Sequence, residues 1–153
     1  MADQSGKKKV VLASGVFDLL HLGHVRFLEE AKKAGGKDAE LTVVVARDST
    51  VEKAKGRKPI MSEAERCLLV ASLRVVDRAV LGYEKFGLGE VIEDIKPDVI
   101  ALGYDQQDMM KQVLDYVKTH GSHVKVVRIG RFGENTLDSS SKIKQEIINK
   151  LLT

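Results

Sequence analysis

Five short apolar runs recur along the chain, separated by longer stretches in which apolar residues return every three or four positions. Residues 10–13 (V-V-L-A) follow a lysine cluster and read as a buried strand. After a turn at Ser14 and Gly15, Val25, Leu28 and Ala31, with Phe27 beside them, form a helical stripe that stops at Gly35 and Gly36. Residues 41–46 are nearly all apolar and β-branched, a second buried strand. The polar, lysine-rich residues 47–59 predict a loop with room for a helical turn. Ser62 and Glu65 form a capping box, which opens a helix through Leu69 and Leu73. Strands are predicted over 79–81, 98–102 and 124–129. The helices between and after them cover 89–95, stopped before Pro97, then 108–119, stopped at Gly121, and 139–152, with Ile143, Ile147, Ile148 and Leu151 as its apolar positions.

This alternation predicts an α/β fold, one doubly wound, Rossmann-like domain with a mainly parallel five-stranded sheet. Strands apolar on both faces need helices on both sides. A ligand cleft is then expected beyond the C-terminal ends of the strands, where the strand order switches. Residues 1–8 are expected to be a mobile tail, and 9–153 the domain.

The chain has 153 residues, enough for one domain. With 43% hydrophobic and 31% charged residues, wholesale disorder is excluded. No apolar run reaches the roughly 18 residues of a membrane span, and the polar start lacks the apolar segment of a secretory signal. One cysteine, Cys67, allows no intrachain disulfide and fits a reducing cytoplasm. The net charge of +3 and the 5% aromatic content, without tryptophan, argue against a nucleic-acid partner. Small anionic ligands remain open.

In such a fold, chemistry is read at strand ends. The first strand runs into G-V-F-D-L-L-H-L-G-H, residues 15–24. His21 and His24 are three apart at a helix start, hence on one face. The helix N-terminus adds free N–H groups and partial positive charge, a seat for phosphate. Gly23 removes a side chain between the imidazoles, which would let a phosphate approach the backbone. Neither G-x-x-x-x-G-K-[ST] nor G-x-G-x-x-G is present. Metal ligation by the pair would need further ligands, and His120 and His123 are expected at the far end of the sheet. Two incidental surface histidines are the plain alternative for a bare H-x-x-H. Placement directly after the first strand, with Gly15 and Gly23, favours phosphate binding.

The decapeptide resembles the signature of the HxGH nucleotidyltransferases, within them the cytidylyltransferase-like enzymes. V-V-A-R-D-S-T-V-E-K-A-K-G-R-K-P-I at 44–60, G-Y-D-Q at 103–106 and the serine run 139–141 are most similar to the archaeal-type FAD synthetases, which are FMN adenylyltransferases. The resemblance implies transfer of the adenylyl group of ATP to FMN, giving FAD and pyrophosphate. Cytidylyl transfer from CTP to glycerol 3-phosphate is the alternative enzyme, and a non-catalytic nucleotide-binding domain the alternative class. On matching positions, His21, His24, Lys55 and Arg57 would be catalytic. Val16, Phe17, Leu22, Gly23, Asp105, Arg131, Ser139 and Ser140 would join both histidines in binding the nucleotide, and Arg66 would bind the substrate phosphate. A divalent metal, Mg²⁺, would ride on the nucleotide phosphates, with no protein metal site. A homodimer is also implied, though no residue pattern demonstrates one.

The residues themselves admit simpler roles. Lys55, Arg57 and Lys58 could form a solvated loop, the serines a plain N-cap, Arg66 an exposed helix charge, and Asp105 a cap. Asp18 reads as structural, bonding turn amides, and Cys67 as core. Val16 stands where many relatives carry Thr or Ser, so one hydroxyl contact is lost while the backbone N–H remains. Some archaeal relatives carry cysteines shortly before the serine run; this chain has none there, so its chemistry needs no thiol.

Overall fold

The computed structural model describes residues 7–83, 87–132 and 137–153. Most of the expected tail, residues 1–6, therefore lies outside the described residues, and residues 7–9 carry no regular structure. The elements run β1 (Val10–Gly15), α1 (Leu22–Ala34), β2 (Glu40–Val45), α2 (Asp48–Lys55), α3 (Glu63–Ala71), β3 (Arg78–Leu81), α4 (Leu88–Ile95), β4 (Val99–Gly103), α5 (Gln107–His120), β5 (Lys125–Ile129) and α6 (Ser140–Leu151).

The strands form one sheet in the order β3-β2-β1-β4-β5, and every neighbouring pair is parallel. β1 is the central strand: Val11 stands beside Leu41 on one side and Val99 on the other. Its apolar run is buried on both faces because alternate residues enter different cores. Val11 and Ala13 join Leu41, Val43, Val45 and Ala101 against Leu28 and Ala31 of α1 and Val70 of α3. Leu12 joins Ile100 and Leu102 against Ile92 of α4 and Val113 of α5. The doubly wound expectation holds in full.

One expectation needs correction. The lysine-rich segment forms a helix of eight residues, α2, because partners distant in sequence hold its start. The Asp48 N–H donates to the Glu63 carboxylate at 3.1 Å, and the Glu63 N–H donates back to Asp48 at 3.3 Å. Two helix N-termini thus satisfy each other's free donors. The final helix, α6, forms as expected, but no residue of it is buried: Ile147 and Ile148 are about half exposed, and Leu151 is 79% exposed.

The chain winds outward from β1 to β2 and β3, then returns to β4 and β5 on the other side. The halves diverge between β1 and β4, so their C-terminal ends open a crevice. The loop after β1, the loop after β4 and the start of α6 line it.

Candidate active site

The β1–α1 loop is held in a costly shape. Phe17 and Leu19 have φ of 56° and 50°, left-handed values that non-glycine residues rarely adopt. Such backbone persists when its surroundings over-determine it. The Phe17 ring is buried and folds back over Gly15, where a Cβ would come within 2.9 Å of it. The Asp18 carboxylate accepts from the Ile60 and Met61 N–H groups at 2.8 and 3.0 Å. It is structural, as expected, but its amides come from a distant turn. The Asp18 carbonyl accepts from the Ser140 hydroxyl at 2.7 Å. Arg66 grips the Val16 carbonyl at 2.7 Å.

That loop delivers His21 to the N-cap of α1 and His24 to its third position. Their rings stack with centroids 3.7 Å apart, and the Phe17 ring lies 5.2 Å from His24. The His21 N–H donates to His24 Nδ1 at 3.4 Å. His21 Nδ1 faces the His24 N–H as in a capping box, but without the alignment of a hydrogen bond. It is buried with no other partner among the described residues. His24 Nδ1 thus accepts a backbone N–H, which assigns the proton of that neutral ring to Nε2, while His21 Nδ1 lies toward the same helix start without a hydrogen bond. Burial lowers the His24 pKa to about 3, His21 adds to this, and Asp18 opposes it. Burial also lowers that of His21, with Asp138 pulling the other way. At neutral pH the ligand-free pair consists of two neutral N–H donors.

The start of α6 meets the start of α1. Ser139 caps α6, its hydroxyl oxygen accepting from the Lys142 N–H at 3.2 Å. A Cβ on Gly23 would run into the Asp138 carbonyl oxygen. This corrects the expected role of that glycine: backbone, not phosphate, occupies the space it leaves. Asp138 is buried and binds Lys142 at 2.6 Å and Arg131 at 3.6 Å, and the Lys142 hydrogen bond leads in holding its carboxyl below the usual range. Ser140 also departs from expectation. Its O–H is given to Asp18, so its free donor at the cleft is the N–H at the first position of α6.

The cleft encloses about 430 Å³. Val16, Phe17, both histidines, Gly23, Lys55, Arg57, Asp105, Arg131, Ser139 and Ser140 all line it. Two expected residues do not. Leu22 is 47% exposed outside the lining, and only its backbone belongs to the helix start. Arg66 is wholly buried and absent from the lining. Its Nε donates to the Met61 carbonyl, its Nη1 to the Val16 and Ala46 carbonyls, and its Nη2 to Asp48. Neither a phosphate ligand nor an exposed helix charge describes it.

Lys144, Tyr104 and Phe132 line the cleft without having been singled out. Lys144 lies on α6 four residues past Ser140, about one helical turn along the same face, a spacing that could have flagged it. The Arg131 guanidinium sits 5.9 Å over the Tyr104 ring. Gln106, the last residue of G-Y-D-Q, ties the two halves of the sheet together: its Oε1 accepts from the Gly103 N–H at 2.8 Å and its Nε2 donates to the Ser14 carbonyl at 3.1 Å. Cys67 is half-buried against the core, and burial pushes its thiol up, away from thiolate chemistry.

Two helix N-termini, two imidazole N–H donors and a rim of lysine and arginine thus converge at the switch point of a parallel sheet. This is the anatomy of a nucleotidyltransferase, in which a polyphosphate is neutralised by fixed donors. The Cytidylyltransferase-like family profile matches residues 12–146. The chain is 49% identical over 141 residues to the FAD synthase of Aciduliprofundum boonei, spanning 92% of this chain and 91% of that one. It is 46% identical over 139 residues to the FAD synthase of Methanobrevibacter smithii, at 91% and 90% coverage. A Thermoplasma volcanium crystal structure, described as a lipopolysaccharide core biosynthesis protein, superposes with a TM-score of 0.74 at 44% identity, over 83% of this chain and all of that one. The chain belongs to the cytidylyltransferase-like family and, within it, to the group of FAD synthases.

Proposed function

We propose that the protein transfers the adenylyl group of ATP to FMN, releasing FAD and pyrophosphate. The observation that carries this reading is the meeting of the α1 and α6 N-termini beside the stacked histidines, in a chain nearly half identical to FAD synthases. An FMN phosphate oxygen attacks the α-phosphorus, the bond to the bridging β-phosphate oxygen breaks, and pyrophosphate leaves. The second pKa of a phosphate monoester is about 6, so the nucleophile is already ionised and needs no general base. Catalysis is positioning and charge neutralisation.

His21 and His24 offer imidazole N–H donors to the triphosphate. The first N–H groups of α1 and α6 and the Ser139 hydroxyl supply further fixed donors. Lys55, Arg57 and Arg131 would supply charge, and Asp105, which lines the cleft, would hold the nucleoside. Among the described residues, no group of three His, Cys, Asp or Glu side chains could hold a metal. The Asp18 and Asp138 carboxylates are engaged by amides and by cations. This donor set fits a divalent cation, Mg²⁺, carried on the nucleotide phosphates, where it would neutralise charge on the leaving pyrophosphate. No described helix is long and apolar enough to cross a membrane. The reading includes a cytoplasmic homodimer with no nucleic-acid partner; light scattering of the purified protein checks the dimer.

Purified protein with Mg²⁺, FMN and either ATP or CTP tests the function. FAD and pyrophosphate formed with ATP are expected. Pyrophosphate released only with CTP and glycerol 3-phosphate would overturn the assignment. Nucleotide binding without any turnover would leave a binding domain.

A further inference from the structure

We infer that Arg66 is a positioning residue that sets the two phosphate-facing walls of the cleft against each other without touching substrate. The inference rests on the proposed adenylyl transfer. Arg66 has no exposed surface, and four of its N–H groups are taken. A buried guanidinium is tolerable only when paired and hydrogen-bonded, and its planar fork reaches several acceptors at fixed angles.

What it holds is specific. The Val16 and Ala46 carbonyls, 2.7 and 2.8 Å away, lie one residue past the ends of β1 and β2. Asp48, at 2.7 Å, is the first residue of α2, and the Met61 carbonyl, at 3.0 Å, closes the loop that follows that helix. The segment between them carries Lys55, Arg57 and Lys58 into the cleft. One guanidinium therefore clamps both ends of the basic wall. Burial opposes ionisation of Asp48, but the hydrogen bond from Arg66 leads the interactions that hold its carboxyl below the usual range.

The same guanidinium sets the histidine wall. Among the described residues no peptide bond is cis, so the Phe17 N–H points opposite to the Val16 carbonyl. With that carbonyl fixed on Arg66, the N–H is turned away from the guanidinium, on a residue that is itself held at φ 56°. A small loosening here would move a backbone donor and the histidine loop together. Misplacement of this kind lowers the rate of the bound complex more than its affinity.

The test compares Arg66→Lys with Asp48→Asn in steady-state FAD synthesis, varying ATP and FMN separately. Asp48 is absent from the cleft lining, so its variant leaves every cleft side chain in place. Each variant is expected to lower kcat about tenfold or more, with both KM values within about threefold. The loss in the Arg66→Lys/Lys55→Ala double variant should fall short of the product of the single losses, since positioning acts through Lys55. Wild-type kcat in Asp48→Asn, or a rise in KM alone in Arg66→Lys, would overturn the inference and return Arg66 to substrate binding. Should Arg66→Lys fail to fold, Asp48→Asn decides. If wild type makes no FAD, the functional reading fails, an outcome distinct from all of these.

Discussion

Two pairs of histidines in this chain share the spacing H-x-x-H, and each pair encloses a glycine. His21 and His24 flank Gly23; His120 and His123 flank Gly121. The first pair stands at the N-terminus of α1, stacked at 3.7 Å and half-buried in the cleft. The second stands where α5 ends and β5 is about to begin. His120 stacks on Tyr116 at 4.1 Å, its Nδ1 lies 3.0 Å from the Tyr116 carbonyl, and both His120 and His123 are exposed. The glycines differ as well. Gly121 is left-handed at φ 57° with open space around it, while Gly23 is needed because another backbone lies against it. Spacing is therefore not what makes a site. A helix start points free N–H groups at a ligand, a helix end points carbonyls, and only the C-terminal edge of a parallel sheet gathers the former.

Breaking one member of each pair gives the largest contrast. His24→Ala is expected to lose on the order of 10² to 10³ in kcat for FAD synthesis, whereas His123→Ala stays within about twofold. Comparable turnover in the two variants would dissolve the distinction. The glycines come next. Gly23→Ala drives a Cβ into the Asp138 carbonyl and should cost about 2–3 kcal/mol in urea unfolding, with activity lost as α6 is displaced. Gly121→Ala meets only backbone strain, about 1 kcal/mol, with activity kept.

An effect of similar size to the glycine changes is the dependence of stability on pH. The folded pKa of His24, about 3, lies below its ordinary 6.5. The unfolded chain therefore binds the proton first, and stability falls as pH drops from about 6.5 toward 3. Between pH 7 and pH 5 the loss should be about 1–2 kcal/mol. His24→Gln should reduce that slope in urea titrations at the two pH values; an unchanged slope would remove His24 from the account.

Much of the fold was legible because periodicity reports burial directly. The run at 10–13 is apolar at every position, and the structure buries Val11, Leu12 and Ala13 in cores on opposite faces of the sheet. Ser62 and Glu65 announced the start of α3, and their reciprocal bonds form at 3.3 and 3.4 Å. α2 was hidden because D-S-T-V-E-K-A-K buries only Val51, and its N-terminus is satisfied by Glu63, fifteen positions on. Arg66 was misplaced for the same kind of reason. A charged residue among helix formers looks solvated until the Val16 carbonyl and Asp48 arrive from fifty and eighteen positions away. Periodicity placed α6 but did not report its burial: its isoleucines are partly to half exposed.

The sequence alone determined the alternation of strands and helices, the parallel sheet and the start of α1 between two histidines. These follow from local periodicity, caps and residue chemistry, which need no knowledge of distant contacts. Tertiary structure decided how each member of the motif is used. It gave Gly23 to the Asp138 backbone, the Ser140 hydroxyl to Asp18, and Arg66 to four internal acceptors. Hydrogen-bond capacity is consumed by whichever groups the fold brings within about 3 Å. Sequence spacing names the donors, but only packing decides which remain free for a ligand.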